Sequence, residues 1–132
     1  MSETIIVSIC SKQKDQRKAL LPARERYLGS HINIAAEEAE HMKMQFFILS
    51  GKYGLLAANE LVSLYNHQLS ERAVPELAAR LVTQLGQFVF KIERVRFFTK
   101  NKPAWLPYGR ALKEALRAYR IPLTTIELPD DA

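Results

Sequence analysis

Four short apolar runs, separated by three longer segments of helical periodicity, organise the chain. The runs cover residues 4–10, 45–50, 94–99 and 123–128, and the first three are rich in Ile, Val and Phe. Nearly continuous apolar runs of this length are typical of strands that are covered on both faces. The fourth run alternates less clearly, but its position after a helical segment also favours a strand.

The three intervening segments, residues 30–44, 75–90 and 107–120, repeat apolar side chains at helical spacing. Ser30 is expected to be the N-cap of the first helix, and Pro75 falls in the first turn of the second. The resulting order is β-α-β-α-β-α-β. It predicts a single three-layer α/β domain over residues 1–132, with a four-stranded, mainly parallel sheet and right-handed crossovers.

Length and composition restrict the class of protein. The 132 residues provide one core, and 48% of them are hydrophobic. No apolar run approaches the ~20 residues that a membrane-spanning helix needs, so we expect no membrane partner and a cytoplasmic location. Cys10 is the single cysteine, which excludes an intrachain disulfide and a cysteine-based metal site. The sequence indicates no cofactor and leaves the oligomeric state open.

The formal charge of +5 is unevenly distributed along the chain. Basic residues crowd the segments that follow the first apolar run and surround the third, whereas the acids concentrate near residues 37–40 and in the tail. A basic cluster attracts phosphate or nucleic acid, but charge runs are also common on ordinary solvated surfaces. Charge alone therefore leaves an anionic partner and a solvated face as equal alternatives.

The predicted strand order makes the location of a site more specific. Ligands of open parallel sheets bind beyond the carboxyl ends of the strands. Here those ends lead into residues 10–14, 50–54 and 99–102, and each of these three loops combines lysine with hydroxyl, thiol or amide groups and contains no acid. Three loops of the same chemistry at one edge predict an anion-binding site there.

Individual residues in these loops are candidates for chemistry. Lys12 and Lys14 would favour the thiolate form of Cys10, although a cysteine at a strand end is more often a packing residue. His67 has the intrinsic pKa of a general acid or base. Gly51 and Gly54 permit a tight turn with exposed amides that could form an anion nest.

The segment between Leu56 and Ser70 is expected to be a long loop, and such loops tend to be functional. Tyr65 could stack on a base, Asn66 could hydrogen bond its edge, and Arg24 could clamp an anion. The candidate catalytic residues are therefore Cys10, Ser50, Lys52 and His67. The candidate substrate-binding residues are Ser11, Lys14, Arg24, Gly51, Tyr53, Gly54, Tyr65 and Asn66.

Three stretches, "SICSKQK", "PARERYLGS" and "ILSGKYGLLAANELVSLYNHQL", carry a family resemblance. They resemble a bacterial and phage domain family of uncharacterised function that is distantly related to the YaaA peroxide-stress proteins. The matching positions are Cys10, Lys14, Tyr27, Leu49, Ser50, Lys52, Tyr53, Gly54, Leu55, Tyr65 and Leu69. YaaA proteins are nearly twice as long, and Leu64 replaces a proline that the family usually has. The resemblance implies DNA binding and protection against oxidative damage.

A shorter similarity links "CSKQK" to archaeosine synthases, which act on a modified guanine in transfer RNA. The leading hypothesis is a YaaA-like protein of stress response or phage-related metabolism. It would bind a nucleotide or nucleic acid and act on a nucleobase or glycosidic bond. The alternatives are a non-catalytic DNA- or RNA-binding protein and an interaction domain without a ligand.

Overall fold

A central strand, β1 (Ser2–Ile9), organises a five-stranded sheet in the computed structural model, which describes residues 2–130. The other strands of the sheet are β3 (Gln45–Ser50), β4 (Gly54–Ala57), β6 (Lys91–Thr99) and β7 (Leu123–Glu127). Their order is β4-β3-β1-β6-β7, and only β4 is antiparallel to its neighbour. The prediction of a mainly parallel α/β sheet is confirmed, but the predicted number of four strands is wrong.

The fifth strand arises because the chain turns back directly after β3. Ser50 pairs with Gly54, so residues 51–53 form the turn of a hairpin and β4 becomes an edge strand. The segment predicted as one long loop after Leu56 also contains β5 (Leu61–Val62), which pairs with β2 (Leu21–Pro22) in a separate small sheet. Such short strands have no periodicity of their own to reveal them.

Helices cover both faces of the sheet, as a three-layer domain requires. Alternate residues of β1 point to opposite sides. Ile5, Val7 and Ile9 belong to the larger core, which includes α3 (Val74–Gly86) and α4 (Leu106–Ala118). Ile6 belongs to the smaller core, which includes Ala35 and Ala39 of α2 (Ser30–Met42). Within the described residues, no helix is long and apolar enough to cross a membrane.

The helices end earlier than their apolar periodicity predicts. Lys43 adopts the left-handed conformation (φ 56°) and stops α2, and the helix α3 ends at Gly86. Val89, which falls within the helix predicted over residues 75–90, lies beyond the end of α3 and is fully exposed. The N-cap of α2 is Gly29 rather than Ser30, which is the first helical residue. A short helix, α1 (Ala23–Arg26), and a 3₁₀ turn (Glu71–Ala73) complete the fold.

The carboxyl ends of β1, β3 and β6 lie side by side. Ile9 pairs with Leu49 and Ser8 with Phe98, in parallel register. This confirms the prediction that the three lysine-containing loops leave one edge of the sheet. The connection from β1 to β3 runs through α2 on one face of the sheet. The connection from β6 to β7 runs through α4 on the opposite face, and it leads toward the opposite edge of the sheet. The gap between β1 and β6 is therefore the point where the chain direction across the sheet reverses.

Candidate functional site

A cleft of about 220 Å³ opens at this reversal point, beyond the ends of β1 and β6. Crevices at such points are the usual ligand sites of open α/β sheets. Its walls come from the loop after β1, the coil before the 3₁₀ turn and the start of α4; the lining residues are Ile9, Cys10, Ser11, Lys12, Lys14, Asn66, His67, Gln68, Ala104, Trp105 and Tyr108. Among these described lining residues there are two lysines and no carboxylate.

The loop after β1 is shaped by Ser11. Its hydroxyl donates to the Gln13 carbonyl at 2.6 Å and accepts the Gly29 amide at 3.2 Å, which ties the loop to the N-terminus of α2. Lys14 pairs with Tyr27 in an isolated antiparallel bridge. The Lys14 ammonium then lies 4.7 Å from the centre of the Tyr65 ring. Ser11 is therefore a loop-shaping residue in the cleft wall, and Lys14 presents a charge to the cleft.

Arg26, rather than Arg24, is the arginine on which this loop depends. Arg26 is fully buried, and its guanidinium donates to the backbone carbonyls of Asp15, Arg17, Ala19 and Val62. It therefore joins the loop before β2 to β5. Arg24 is exposed on α1 and does not line the cleft. Its predicted role as an anion clamp has no geometric support.

The hydroxyl groups of Tyr27, Tyr65 and Ser50 form a hydrogen-bonded chain. It lies beneath Lys52 of the hairpin and Lys14 of the loop after β1. The Tyr27 and Tyr65 hydroxyl oxygens are 2.5 Å apart, and the Tyr65 and Ser50 oxygens are 2.9 Å apart. The backbone amides of Lys52 and Tyr53 both donate to the Ser50 oxygen at 3.1 Å. A hydroxyl has two acceptor lone pairs and one proton. Both lone pairs of Ser50 are thus engaged, so its proton points to Tyr65.

This count assigns Ser50 a structural part in the arrangement. A nucleophilic serine needs a free lone pair and an adjacent base, and the fully buried Ser50 has neither among its hydrogen-bond partners. The predicted anion nest is also wrong for these amides, because Ser50 accepts from Lys52 and Tyr53. Ser50 holds the hairpin turn and orients Tyr65.

The side chain of Gln84, on α3, hydrogen bonds the backbone of the other hairpin residues. The Gln84 side chain accepts the Leu55 amide at 2.8 Å and donates to the carbonyls of Tyr53 and Leu55. Gly54 has a φ of 76°, and a Cβ there would lie 2.2 Å from the Gln84 Oε1 atom. Gly54 is thus required by the turn, and neither it nor Tyr53 lines the cleft.

Cys10 lies at the floor of the cleft and is buried. Its thiol donates to the Tyr108 hydroxyl across 3.9 Å, and the Gly51 backbone and Tyr65 also hydrogen bond it. Burial raises the pKa of the Cys10 thiol, outweighing these hydrogen bonds and the charge of Lys14, which lower it. The direction is opposite to the thiolate expected from the neighbouring lysines, because desolvation disfavours the charged form.

We expect Cys10 to react with iodoacetamide at pH 8 at least about tenfold more slowly than cysteine in a short peptide, because little thiolate forms and access is restricted. The measurement is mass-spectrometric alkylation against time. Unfolding in urea provides the control and should restore the peptide rate. A native rate equal to the peptide rate would revive the thiolate interpretation.

The same burial affects the phenols around Cys10. Burial raises the pKa of Tyr65 to about 12 and raises the pKa values of Tyr27 and Tyr108 as well. All three hydroxyls therefore stay protonated at neutral pH and can donate hydrogen bonds. At neutral pH the floor of the cleft is therefore uncharged. The positive charge of the cleft comes from the lysines in its wall.

Other predicted site residues are distributed around the cleft. Asn66 and His67 are exposed in the coil after β5 and line the cleft directly. Lys52 is exposed on the hairpin, outside the lining, with its ammonium 5.4 Å from the Tyr65 ring centre. The structure thus brings Cys10, Ser50, Tyr65 and two lysines together, whereas His67 approaches from the opposite wall. The catalytic roles of these residues stay predictions.

Trp105 and Tyr108 are the site residues that sequence reasoning missed. Tyr108 belongs to the apolar repeat of the helix predicted over residues 107–120, and Trp105 directly precedes that helix, so neither is a candidate by pattern. Both line the cleft, and the His31 ring packs against Trp105 at 4.7 Å. Burial lowers the pKa of His31, and its neutral ring donates to the Ile9 carbonyl at 2.7 Å. The position of Trp105 and Tyr108 in the sequence could have identified them, because both follow the loop at the end of the third predicted strand.

The third lysine-containing loop does not enter the cleft. Thr99, Lys100 and Asn101 line a neighbouring cavity on the other side of Trp105. The Lys100 ammonium donates to the Asp130 carbonyl at 3.1 Å. Among residues 2–130, no group of three or more His, Cys, Asp or Glu side chains is arranged to hold a metal ion.

Comparison with known proteins adds one assignment. No curated protein and no solved structure is significantly similar to the chain. A family model, described as a family of unknown function, matches residues 5–128 and so includes the sheet, the cleft and the hairpin. The match provides no link to YaaA proteins, but it covers almost the whole chain, and the protein therefore belongs to the DUF6884 family.

Proposed function

We propose that the protein binds a nucleotide in the cleft between the ends of β1 and β6. The observation that carries the proposal is the location of a lysine-lined crevice at the reversal point of a parallel sheet. Its volume of about 220 Å³ is below the range of about 300–1,000 Å³ that drug-sized ligands occupy. The cleft therefore suits a single nucleoside phosphate group or base.

The side chains on the two walls of the cleft suit a ligand with one anionic end and one polar end. Lys12 and Lys14 lie on the wall that follows β1, and they would neutralise a phosphate. Asn66 offers both a donor and an acceptor from the opposite wall, which suits a base edge. Trp105 supplies an aromatic side wall. The neutral floor of Cys10 and Tyr108 adds hydrogen-bonding groups without adding charge.

Binding, rather than a defined reaction, is the function that this geometry supports best. The thiol of Cys10 has a raised pKa, and the lone pairs of Ser50 are engaged, so neither group is an activated nucleophile. His67 is the remaining candidate for proton transfer to a bound nucleotide. A YaaA-like role on DNA, inferred from sequence resemblance alone, would use the same cleft.

The proposal is tested by titrating the protein with the four ribonucleoside 5′-monophosphates at low and high salt. Trp105 is the single tryptophan, so its fluorescence reports on occupancy. We expect Lys14→Gln to weaken binding about tenfold, a change of ~1.4 kcal/mol. The slope of log affinity against log salt should fall by about 1, because one phosphate contact is lost.

Lys91→Gln is the matched control. Lys91 is exposed, whereas Lys14 is half-buried, and Lys91 begins β6 and so lies at the opposite edge of the sheet. Its loss removes the same charge without touching the cleft, and binding should stay within about twofold of the wild type. Equal losses in the two variants would show diffuse attraction to a basic surface and contradict a nucleotide site in the cleft.

A further inference from the structure

A second cavity, of about 260 Å³, lies directly across Trp105 from the nucleotide cleft. It opens beyond the ends of the next two strands, because Thr99 and Glu127 are the last residues of β6 and β7. Trp105 lines both cavities, so one indole forms the shared wall. The two cavities form adjacent compartments along one sheet edge.

Gly109 borders this second cavity from α4 without a side chain. It lies inside α4, where glycine destabilises the helix relative to alanine. A Cβ at Gly109 would meet one neighbouring atom, Cε2 of Phe97, at 3.5 Å, which is an ordinary contact. The backbone there is helical, so neither sterics nor conformation requires glycine. A larger side chain at position 109 would fill the cavity.

The lining of this Gly109 cavity differs from that of the lysine-lined cleft. Phe97, Trp105 and Leu106 provide apolar surface for a flat ring. Asn101, Thr125 and Glu127 provide hydrogen-bonding groups, and the carboxylate of Glu127 favours an amino group over a phosphate. A nucleobase has this combination of an apolar face and a polar edge that bears donors.

The size of each cavity also favours a ligand that spans both. Each volume alone is below the range of about 300–1,000 Å³ that is typical of small-molecule sites, whereas the two together fall within it. A phosphodiester between two nucleosides would pass the Trp105 wall. Lys113 at the rim of the Gly109 cavity and Lys12 and Lys14 in the cleft place positive charge on either side, whereas Arg110 is ion-paired with Glu71.

We propose that the Gly109 cavity is a second nucleobase subsite, and that the ligand is therefore a dinucleotide or a single-stranded nucleic acid rather than a mononucleotide. This inference rests on the proposed nucleotide cleft. In single-stranded nucleic-acid binding, aromatic walls and lysine-lined grooves act together, and each stacked base adds affinity. The second base should thus strengthen binding without a second phosphate site of its own.

The experiment compares a nucleoside 5′-monophosphate with a dinucleotide that carries the same 5′-phosphorylated nucleoside. We expect the dinucleotide to bind at least about tenfold more tightly to the wild type, since each stacked base adds affinity. Gly109→Leu fills the cavity and should abolish that gain while leaving mononucleotide affinity unchanged. Gly109→Ala is the matched control and should keep most of the gain.

A second blocking variant, Thr125→Leu, enters the cavity from β7 and guards against a folding defect in α4. Thermal melts identify the folded variants. A dinucleotide gain that survives in both blocking variants would overturn the subsite. Mononucleotide binding to the wild type without a dinucleotide gain would overturn this inference alone. Failure of every nucleotide to bind would overturn the proposed function and the subsite together.

Discussion

Arg26→Ala is expected to lower the free energy of unfolding by about 3 kcal/mol or more, since each buried polar group left without a partner costs about 1–3 kcal/mol. The guanidinium of Arg26 is fully buried and donates to four backbone carbonyls. Its removal leaves a cavity and takes the arginine donors away from the buried Val62 carbonyl. Urea denaturation followed by circular dichroism measures the effect.

Arg24→Ala is the matched control, because Arg24 is the same residue type on the same short helix but is exposed. Its stability should stay within about 0.5 kcal/mol of the wild type, as for most surface changes. Arg26→Lys should be intermediate, since an ammonium has three donors at one point and lacks the planar fork. Similar losses for Arg24→Ala and Arg26→Ala would show that the buried hydrogen bonds contribute nothing.

A functional consequence distinguishes the two arginines further. Three of the carbonyls bonded by Arg26 belong to the loop of residues 11–20, which also carries Lys12 and Lys14. Loss of these bonds should loosen the loop and weaken nucleotide binding, even where the variant remains folded. Arg24→Ala should bind as the wild type does, whereas the anion-clamp prediction for Arg24 requires a loss.

The parts of the fold that sequence reasoning predicted are those with strong local signals. The runs at residues 4–10 and 45–50, which form β1 and β3, are apolar over most of their length, and the helical repeats of α2, α3 and α4 are regular; β6 and β7 follow from shorter apolar groups between the helices. Since parallel strands end at one edge, the approximate position of the site followed as well. Cys10, Lys14, Asn66 and His67 do line the cleft.

The parts that sequence reasoning missed depend on contacts between distant residues. The edge strand β4 has four residues and is recognisable only through its pairing with β3. The partners of Arg26 are up to 36 positions away in the chain, so nothing local distinguishes it from Arg24. The cleft wall formed by Trp105 and Tyr108 depends on how α4 packs across the sheet. Long-range packing overrides local pattern at each of these positions.

The second large effect is expected for Ser50→Ala, which should lower the free energy of unfolding by about 2–3 kcal/mol, because three part-buried hydrogen bonds to one fully buried hydroxyl are lost at once. The Tyr65 hydroxyl accepts from Ser50, and the amides of Lys52 and Tyr53 donate to the Ser50 oxygen. Without it, the hairpin turn loses its internal acceptor. Tyr65 also loses the group that orients it between Lys14 and Lys52.

Ser8→Ala is the control for Ser50→Ala, because both serines are fully buried. The Ser8 hydroxyl makes a single long bond, to the Ile9 carbonyl at 3.5 Å, so its loss should cost less than about 1 kcal/mol.

A double-mutant cycle of Ser50→Ala with Tyr65→Phe should give a coupling energy of about 0.5–3 kcal/mol, as for directly bonded groups. If nucleotide binding survives Ser50→Ala at the wild-type level while stability falls, Ser50 supports the hairpin only. If binding falls in Ser50→Ala and in Tyr65→Phe by the same factor, the hydroxyl chain positions the ligand site. Additive stability losses in the double variant would contradict the hydroxyl chain itself.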